Sequence, residues 1–290
     1  MVDLHTHSTA SDGTFTPTEL IIEAKKTGLD AVALTDHDII AGLEEAETEA
    51  KKQNIIFIRG IEISVNWQPG EFHLLGLNLK KKSAALDSLI KNLQSERINR
   101  NIRITEKMNK CGFDINYEKL KNFIKDENMG SICIGRPHFA AYMVRHKIVK
   151  TNQEAFDKYL GKNRPFFEEK KNADFEEAVF AIKSAGGIPV LAHPMSLYLS
   201  WTKLPDAISD LKTCGLMGLE AWNSSTRYND CKRLEDLAGE LDLIVTAGSD
   251  FHGNVRKDRK LGATSNGIKI ENRFYENLRI LCPDLPEIPR

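Results

Sequence analysis

Ala31-Val32-Ala33-Leu34-Thr35-Asp36-His37-Asp38 passes from four apolar residues to four polar ones within eight positions. A short, partly β-branched apolar run reads as a strand buried on both faces, the kind a parallel sheet uses. The same change of character recurs along the chain. A strand at 2–5 runs into His5-Thr6-His7, and a strand at 55–58 leads to Gly60-Ile61-Glu62. A further strand around 72–78 contains His73, and one at 188–192 stops at His193-Pro194. Another is expected at 216–221, and the last, at 243–247, ends in Gly248-Ser249-Asp250-Phe251-His252. Amphipathic helices fall between them, from Thr16-Pro17-Thr18-Glu19 onward and at 40–52, 175–185, 204–213 and 227–240. Thr16 fits an N-cap, Pro17 the first helical position and Glu19 the return arm of a capping box. Gly186-Gly187 is a natural helix stop. The expected class is α/β, with buried parallel strands closing into a barrel.

Residues 97–172 interrupt this alternation with a mostly helical pattern, at 97–110, 116–125, 138–147 and 152–160. The expected organisation is a barrel from 1–96 and 173–290 carrying a helical insertion at 97–172. That insertion holds 17 Lys and Arg against 9 Asp and Glu, about +8, while the rest of the chain is about −9. An acidic body beside a basic segment suits cations in one part and an anionic substrate facing the other.

The 290 residues have a net charge of −1, 41% hydrophobic and 8% aromatic residues. That is ordinary globular composition, and it argues against a whole-chain grip on duplex nucleic acid or on a membrane. No run approaches the length of a membrane-spanning helix. The chain enters a strand from its first residues, leaving no room for a secretory leader. Cys111, Cys133, Cys214, Cys231 and Cys282 are scattered and form no CxxC, which excludes a disulfide framework or a thiolate zinc site and suits a reducing cytoplasm.

The chemistry sits where histidines and acids meet strand ends. His5 and His7 are two apart, so one strand face presents both, roughly 6.6 Å from one another, close enough to converge on one metal ion. Asp12 follows in the turn Ser11-Asp12-Gly13. In a parallel barrel the C-terminal strand ends open onto one face, where active sites form, and six of the eight histidines occupy such positions. Singly, each has an ordinary explanation: a hydrogen-bonded structural histidine, a helix cap for Asp36 or Asp38, an Asx-turn for Asp12. Together, six histidines with Asp12, Glu62 and Asp250 point to a multinuclear metal centre, because clustering so many polar groups without a cation is expensive.

The ordered set H-x-H, T-D-H, a strand-end Glu, H-P and a late S-D-x-H resembles the PHP (polymerase and histidinol phosphatase) family. Gly135-Arg136-Pro137-His138-Phe139-Ala140 in the insertion is similar to the branch acting on 3',5'-nucleoside bisphosphates and on short oligoribonucleotides. The resemblance implies a distorted seven-stranded barrel and two or three divalent ions, commonly manganese, with iron or zinc also used. It implies that His5, His7, Glu62 and Asp250 hold one ion and that Glu62 bridges to a second, bound by His73 and His193. Asp12, His37 and His252 would hold a third, and Arg136 and His138 would reach a substrate phosphate.

The expected reaction is hydrolysis of a nucleotide phosphate monoester by a metal-bridging hydroxide, yielding a nucleoside 5'-monophosphate and phosphate. Asp36 is expected to orient a ligand imidazole. His193 is either a ligand or, with one site empty, the acid that protonates the leaving oxygen. The alternative in the same chemistry is 5'-to-3' trimming of short RNA. A histidinol-phosphate phosphatase is disfavoured by the basic insertion, and a non-catalytic metal-stabilised binding module by the full ligand set.

Overall fold

The computed structural model describes residues 1–127 and 133–288. Among these, seven strands form one sheet in sequence order: β1 (Val2–Asp3), β2 (Ala31–Leu34), β3 (Ile56–Val65), β4 (Phe72–Leu77), β5 (Ile188–Leu191), β6 (Gly218–Asn223) and β7 (Ile244–Gly248). The first and last strands meet. Leu4 N–H donates to Ala247 O, Asp250 N–H to His5 O and His7 N–H to Phe251 O, so the sheet is a nearly closed barrel. Asp3, fully buried, reinforces that seam by accepting from Ser249 N, Ser249 Oγ and Gly262 N.

Parallel pairing holds between β1, β2 and β3 and again between β5, β6 and β7. β4 departs from the all-parallel expectation, running antiparallel to both neighbours. The reason is length: six residues, 66–71, separate β3 from β4, and a parallel crossover needs about a dozen or more. The reversal brings His73, at the start of β4, to the barrel mouth reached by the ends of the parallel strands. β3 also runs seven residues beyond its expected end at 58, so Glu62 lies inside a strand.

Around the barrel lie α1 (Pro17–Thr27), α2 (Leu43–Gln53), α7 (Phe175–Ser184), α8 (Leu204–Thr213), α9 (Tyr228–Glu240) and α10 (Arg273–Leu281). α1 has the full capping box: Glu19 N–H donates to Thr16 Oγ1 at 3.1 Å and Thr16 N–H to Glu19 Oε2 at 2.8 Å. Such a cap contributes about 1 kcal/mol. Gly28, at φ +85°, ends the helix.

The excursion between β4 and β5 begins with α3 (Ala84–Lys110), one continuous 27-residue helix. Its first turns place Leu86, Leu89, Ile90 and Leu93 in the barrel core. Its last turns place Ile104 and Met108 in a second core with Ile115, Leu120, Phe139, Met143, Leu160 and Phe166. α4 (Tyr117–Asp126), α5 (Arg136–Arg145) and α6 (Asn152–Ala155) complete that second core. The helix expected over 152–160 is α6 followed by a π-helical turn, Phe156–Leu160.

Candidate metal centre

The barrel mouth gathers the polar strand ends. Thr6 turns its hydroxyl to Ala33 O and its N–H to Thr35 Oγ1, so His5 and His7 share the opposite face. His5, His7 and Glu62 are fully buried, and Asp250 and His193 nearly so. His5 Nε2 lies 3.1 Å from His7 Nε2, 3.3 Å from Glu62 Oε1 and 3.5 Å from Asp250 Oδ1. His7 Nε2 is 3.2 Å from both Glu62 Oε2 and Asp250 Oδ1. On the other side of Glu62, Oε1 meets His73 Nδ1 at 3.0 Å and His193 Nε2 at 3.1 Å, while Oε2 is 2.9 Å from His37 Nδ1. Asp12 Oδ1 lies 3.4 Å from His252 Nε2 and 4.0 Å from His37 Nε2.

Three overlapping sets have one donor atom each within 4.8 Å of the others: His5, His7 and Asp250; His37, Glu62 and His73; and His7, Asp12, His37 and His252. The sets share members more than the family pattern implies. His37 faces Glu62 through Nδ1 and Asp12 through Nε2, and a neutral imidazole has only one lone pair, so it serves one of those sets at a time.

These residues fit a metal. Bonds of about 2.0–2.2 Å place neighbouring ligand atoms about 2.9–3.5 Å apart, as found around Glu62. The donors are imidazole nitrogens and carboxylate oxygens without sulfur, a set that suits first-row divalent ions. His7 Nδ1, Asp12 Oδ1, His37 Nδ1 and Glu62 Oε2 are buried without a well-formed hydrogen bond, the 2.9 Å approach of His37 Nδ1 to Glu62 Oε2 included, a pattern a cation explains.

The electrostatics agree. Burial alone would raise the Glu62 and Asp250 carboxyls, but the imidazoles around Glu62, and the imidazoles and Arg259 around Asp250, hold both well below their usual range. Burial would lower His7, yet Asp250 and Glu62 lift it to about 10. Without a cation, His7 would therefore keep its proton, whereas burial pushes the His37 imidazole down.

Two expected roles change. The Asp36 carboxylate accepts from Ser8 N at 2.8 Å, Ser8 Oγ at 2.6 Å and Ser11 Oγ at 2.5 Å. It anchors the turn between His7 and Asp12 rather than orienting an imidazole, because the turn's hydroxyls reach it first. His138 is buried at the start of α5, where its Nδ1 accepts from Gly135 N–H at 2.9 Å. The cavity wall there is Gly135, Arg136 and Pro137.

That cavity, 940 Å³, opens from the metal centre toward the helical excursion. Arg97, Arg100, Arg136, Lys162 and Lys170 line the facing wall, and Arg256 and Arg259 the rim beyond β7. The Arg136 guanidinium sits 5.4 Å over the Phe167 ring and 3.7 Å from Glu71.

The sequence reading missed several residues. Glu220 accepts from His5 Nδ1 at 2.8 Å and from His193 N–H at 2.8 Å. A single acid inside the apolar run Gly218-Leu219-Glu220-Ala221-Trp222 was its signal, since charged residues are almost never fully buried unless paired. Arg259 pairs with Asp250 and also donates to its backbone oxygen at 3.1 Å. Asp38, also buried, takes Lys170 at 2.6 Å and Arg97 at 2.5 Å. The Glu220 and Asp38 pairings join distant parts of the sequence, which no local pattern announces, whereas Arg259 lies only nine residues from Asp250.

A nearly closed barrel with a histidine and carboxylate cluster at its mouth is the architecture of a metal-assisted hydrolase. The PHP domain model matches residues 3–172, and the chain belongs to that family. It is 34% identical to a 5'-3' exoribonuclease of Haemophilus influenzae, over 94% of this chain and 98% of that one. It is 32% identical to a 3',5'-nucleoside bisphosphate phosphatase of Chromobacterium violaceum, over 97% and 98%. A solved structure of a metal-dependent phosphoesterase from Bifidobacterium adolescentis superposes with a TM-score of 0.83 at 28% identity, covering 99% of this chain and 97% of that one. Among the described residues, no helix is long and apolar enough to cross a membrane.

Proposed function

We propose that this chain hydrolyses a phosphate monoester of a nucleotide, converting a 3',5'-nucleoside bisphosphate to the 5'-monophosphate and phosphate. The observation carrying this reading is the shared cavity, lined on one side by seven of the nine candidate ligands, Asp12, His37, Glu62, His73, His193, Asp250 and His252, with His5 and His7 buried behind them, and on the other by a row of arginines and lysines. Two or three divalent cations, manganese first, would be held by His5, His7, Asp12, His37, Glu62, His73, His193, Asp250 and His252. Bound there, they would polarise the phosphoryl group and acidify water toward neutrality.

The chain's own residues do the rest. Ser196 gives its one hydroxyl hydrogen to Glu71 O, so the 2.9 Å contact with His193 Nδ1 has the imidazole donating. That leaves the His193 Nε2 lone pair toward Glu62 and supports a ligand role over that of an acid. Arg136, planar and always charged, clamps a substrate phosphate from the excursion at 97–172, which serves as the substrate cap.

A second reading, stepwise 5'-to-3' removal of nucleotides from short RNA, is favoured by the cavity's size. At 940 Å³ it sits near the top of the roughly 300–1,000 Å³ range for small-molecule sites and leaves room beyond one nucleotide. Both readings fit the named relatives. We infer a cytoplasmic location from the scattered cysteines, which suit a reducing compartment.

Protein purified with Mn²⁺ should be offered a nucleoside 3',5'-bisphosphate, 5'-phosphorylated di- to pentanucleotides and histidinol phosphate, with products separated. Release of inorganic phosphate from the bisphosphate supports the first reading, and mononucleotides from RNA the second. Turnover of histidinol phosphate alone would overturn both.

A further inference from the structure

Glu220 lies on β6, a strand that contributes none of the nine candidate ligands, yet its carboxylate reaches two of them. Oε1 is 2.8 Å from His5 Nδ1, at the end of β1. Oε2 accepts the backbone N–H of His193, at the end of β5, also at 2.8 Å. The side chain is 1% exposed, and room for it is reserved. A Cβ added to Gly248 would fall 2.7 Å from Glu220 Oε1 and 2.2 Å from His5 Cβ. A residue with any side chain at 248 would push the pair apart.

From this arrangement we propose that Glu220 is a positioning residue that fixes two metal ligands on different strands at once. A carboxylate has no hydrogen to give, so the short contact requires the proton on His5 Nδ1 and turns Nε2 toward His7, Glu62 and Asp250. The other oxygen holds His193, whose backbone sits at φ +28°, a conformation that persists only when its surroundings enforce it. One buried acid thus determines which His5 nitrogen faces the cation and where the His193 ring begins. Loss of Glu220 loosens the His5 set and the His193 side of Glu62 together. The inference rests on the metal-centre reading above.

The test is metal affinity rather than turnover. Glu220→Gln keeps one acceptor oxygen but presents amide hydrogens to a second donor, so one of the two contacts is lost. Chelated wild-type and E220Q proteins are titrated with Mn²⁺ by calorimetry and melted with and without the ion. We expect E220Q to bind Mn²⁺ roughly ten- to a hundredfold more weakly, and the gap between loaded and chelated melting temperatures to shrink. An acid serving only the fold would lower both melting temperatures equally and leave the gap and the affinity unchanged, which overturns the proposal. If E220Q does not fold, imidazole ¹⁵N spectra of wild-type protein loaded with diamagnetic Zn²⁺ decide. His5 bound through Nε2 with a proton on Nδ1 supports the proposal, and His5 bound through Nδ1 refutes it. Failure of wild-type protein to bind either ion would instead sink the metal-centre reading itself.

Discussion

The Lys170 ammonium lies 2.6 Å from an Asp38 carboxylate oxygen, with neither side chain more than 6% exposed. Asp38 follows β2, and Lys170 lies on the segment returning from the second core. Arg97, from α3, reaches the same oxygen. A single acid therefore ties both ends of the excursion to the barrel. Burial alone would raise its carboxyl, but Lys170 and Arg97 hold it far below the usual range.

Asp38→Asn leaves two buried cations without their counter-charge, a change that typically costs about 3–5 kcal/mol. Thermal melts should show a fall of many degrees, and limited proteolysis faster cleavage within 97–172. An unchanged melt would mean solvent reaches Lys170 and Arg97 freely. Because the native carboxyl is depressed, its stabilisation is present above the ordinary carboxylate range. It is lost only in strong acid, as pH falls through the native value.

Elemental analysis of protein purified with Mn²⁺ should find at least two divalent ions per chain. Each ion present at a hundredfold over its dissociation constant stabilises the fold by about 2.7 kcal/mol, so chelation should lower the melting temperature as well as abolish hydrolysis. Full turnover in metal-free protein would end the reading.

Glu62 contacts four imidazoles through its two oxygens besides facing His5. Glu62→Gln should remove ions from two sites together, seen as a stoichiometric loss by elemental analysis, whereas Glu240→Gln, on the exposed end of α9, should change nothing. Normal metal content in E62Q would make Glu62 a structural acid.

Arg136→Ala should keep metal content and fold while weakening bisphosphate turnover. A charge-assisted contact is worth about 1.5–3 kcal/mol, roughly ten- to a hundredfold in rate. Arg136→Lys should recover part of this, since an ammonium cannot replace a planar fork. A small aryl phosphate that does not reach the excursion should suffer less. Equal impairment of both substrates would assign Arg136 to folding instead.

The metal-free site has a pH dependence of definite sign. Glu62 and Asp250, depressed by the imidazoles beside them, stabilise the fold above the ordinary carboxylate range and lose that contribution as pH falls. His7, lifted from 6.5 to about 10, stabilises it below 6.5 and loses that contribution as pH rises toward 10. Chelated protein should therefore be most stable in mild acid. A cation takes the place of imidazole protons, so metal uptake releases protons and strengthens with pH. Paired melts of chelated and Mn²⁺-loaded protein across pH 5.5 to 9 should show the gap widening; a narrowing gap contradicts this account.

Much of the fold was legible because its strands are short apolar runs closed by polar residues, as at Leu34-Thr35 and Ala192-His193. Six of the nine candidate ligands, His5, His7, His37, His193, Asp250 and His252, were legible for the same reason, sitting beside those breaks, while Glu62 and His73 lie inside strands and Asp12 in a turn. The direction of β4 was also present in the six residues before it, but a periodic pattern does not report strand direction. Asp36 looked like a ligand's partner because of its neighbour His37, whereas Ser8 and Ser11 come to it through the parallel pairing of β1 with β2. Glu220 and Lys170 act through contacts with residues 27 to 215 positions away, which the folded barrel creates, and Arg259 meets Asp250 nine residues back.

α3 has a consequence for how the molecule comes apart. At 1.5 Å per residue its 27 residues make a rod of about 40 Å, with one half in each hydrophobic core. Neither core can melt without baring an apolar flank of the same rod, so the two unfold as one cooperative unit. Excision of the excursion near residue 97 would not release a tidy barrel; it would sever a shared beam in mid-span.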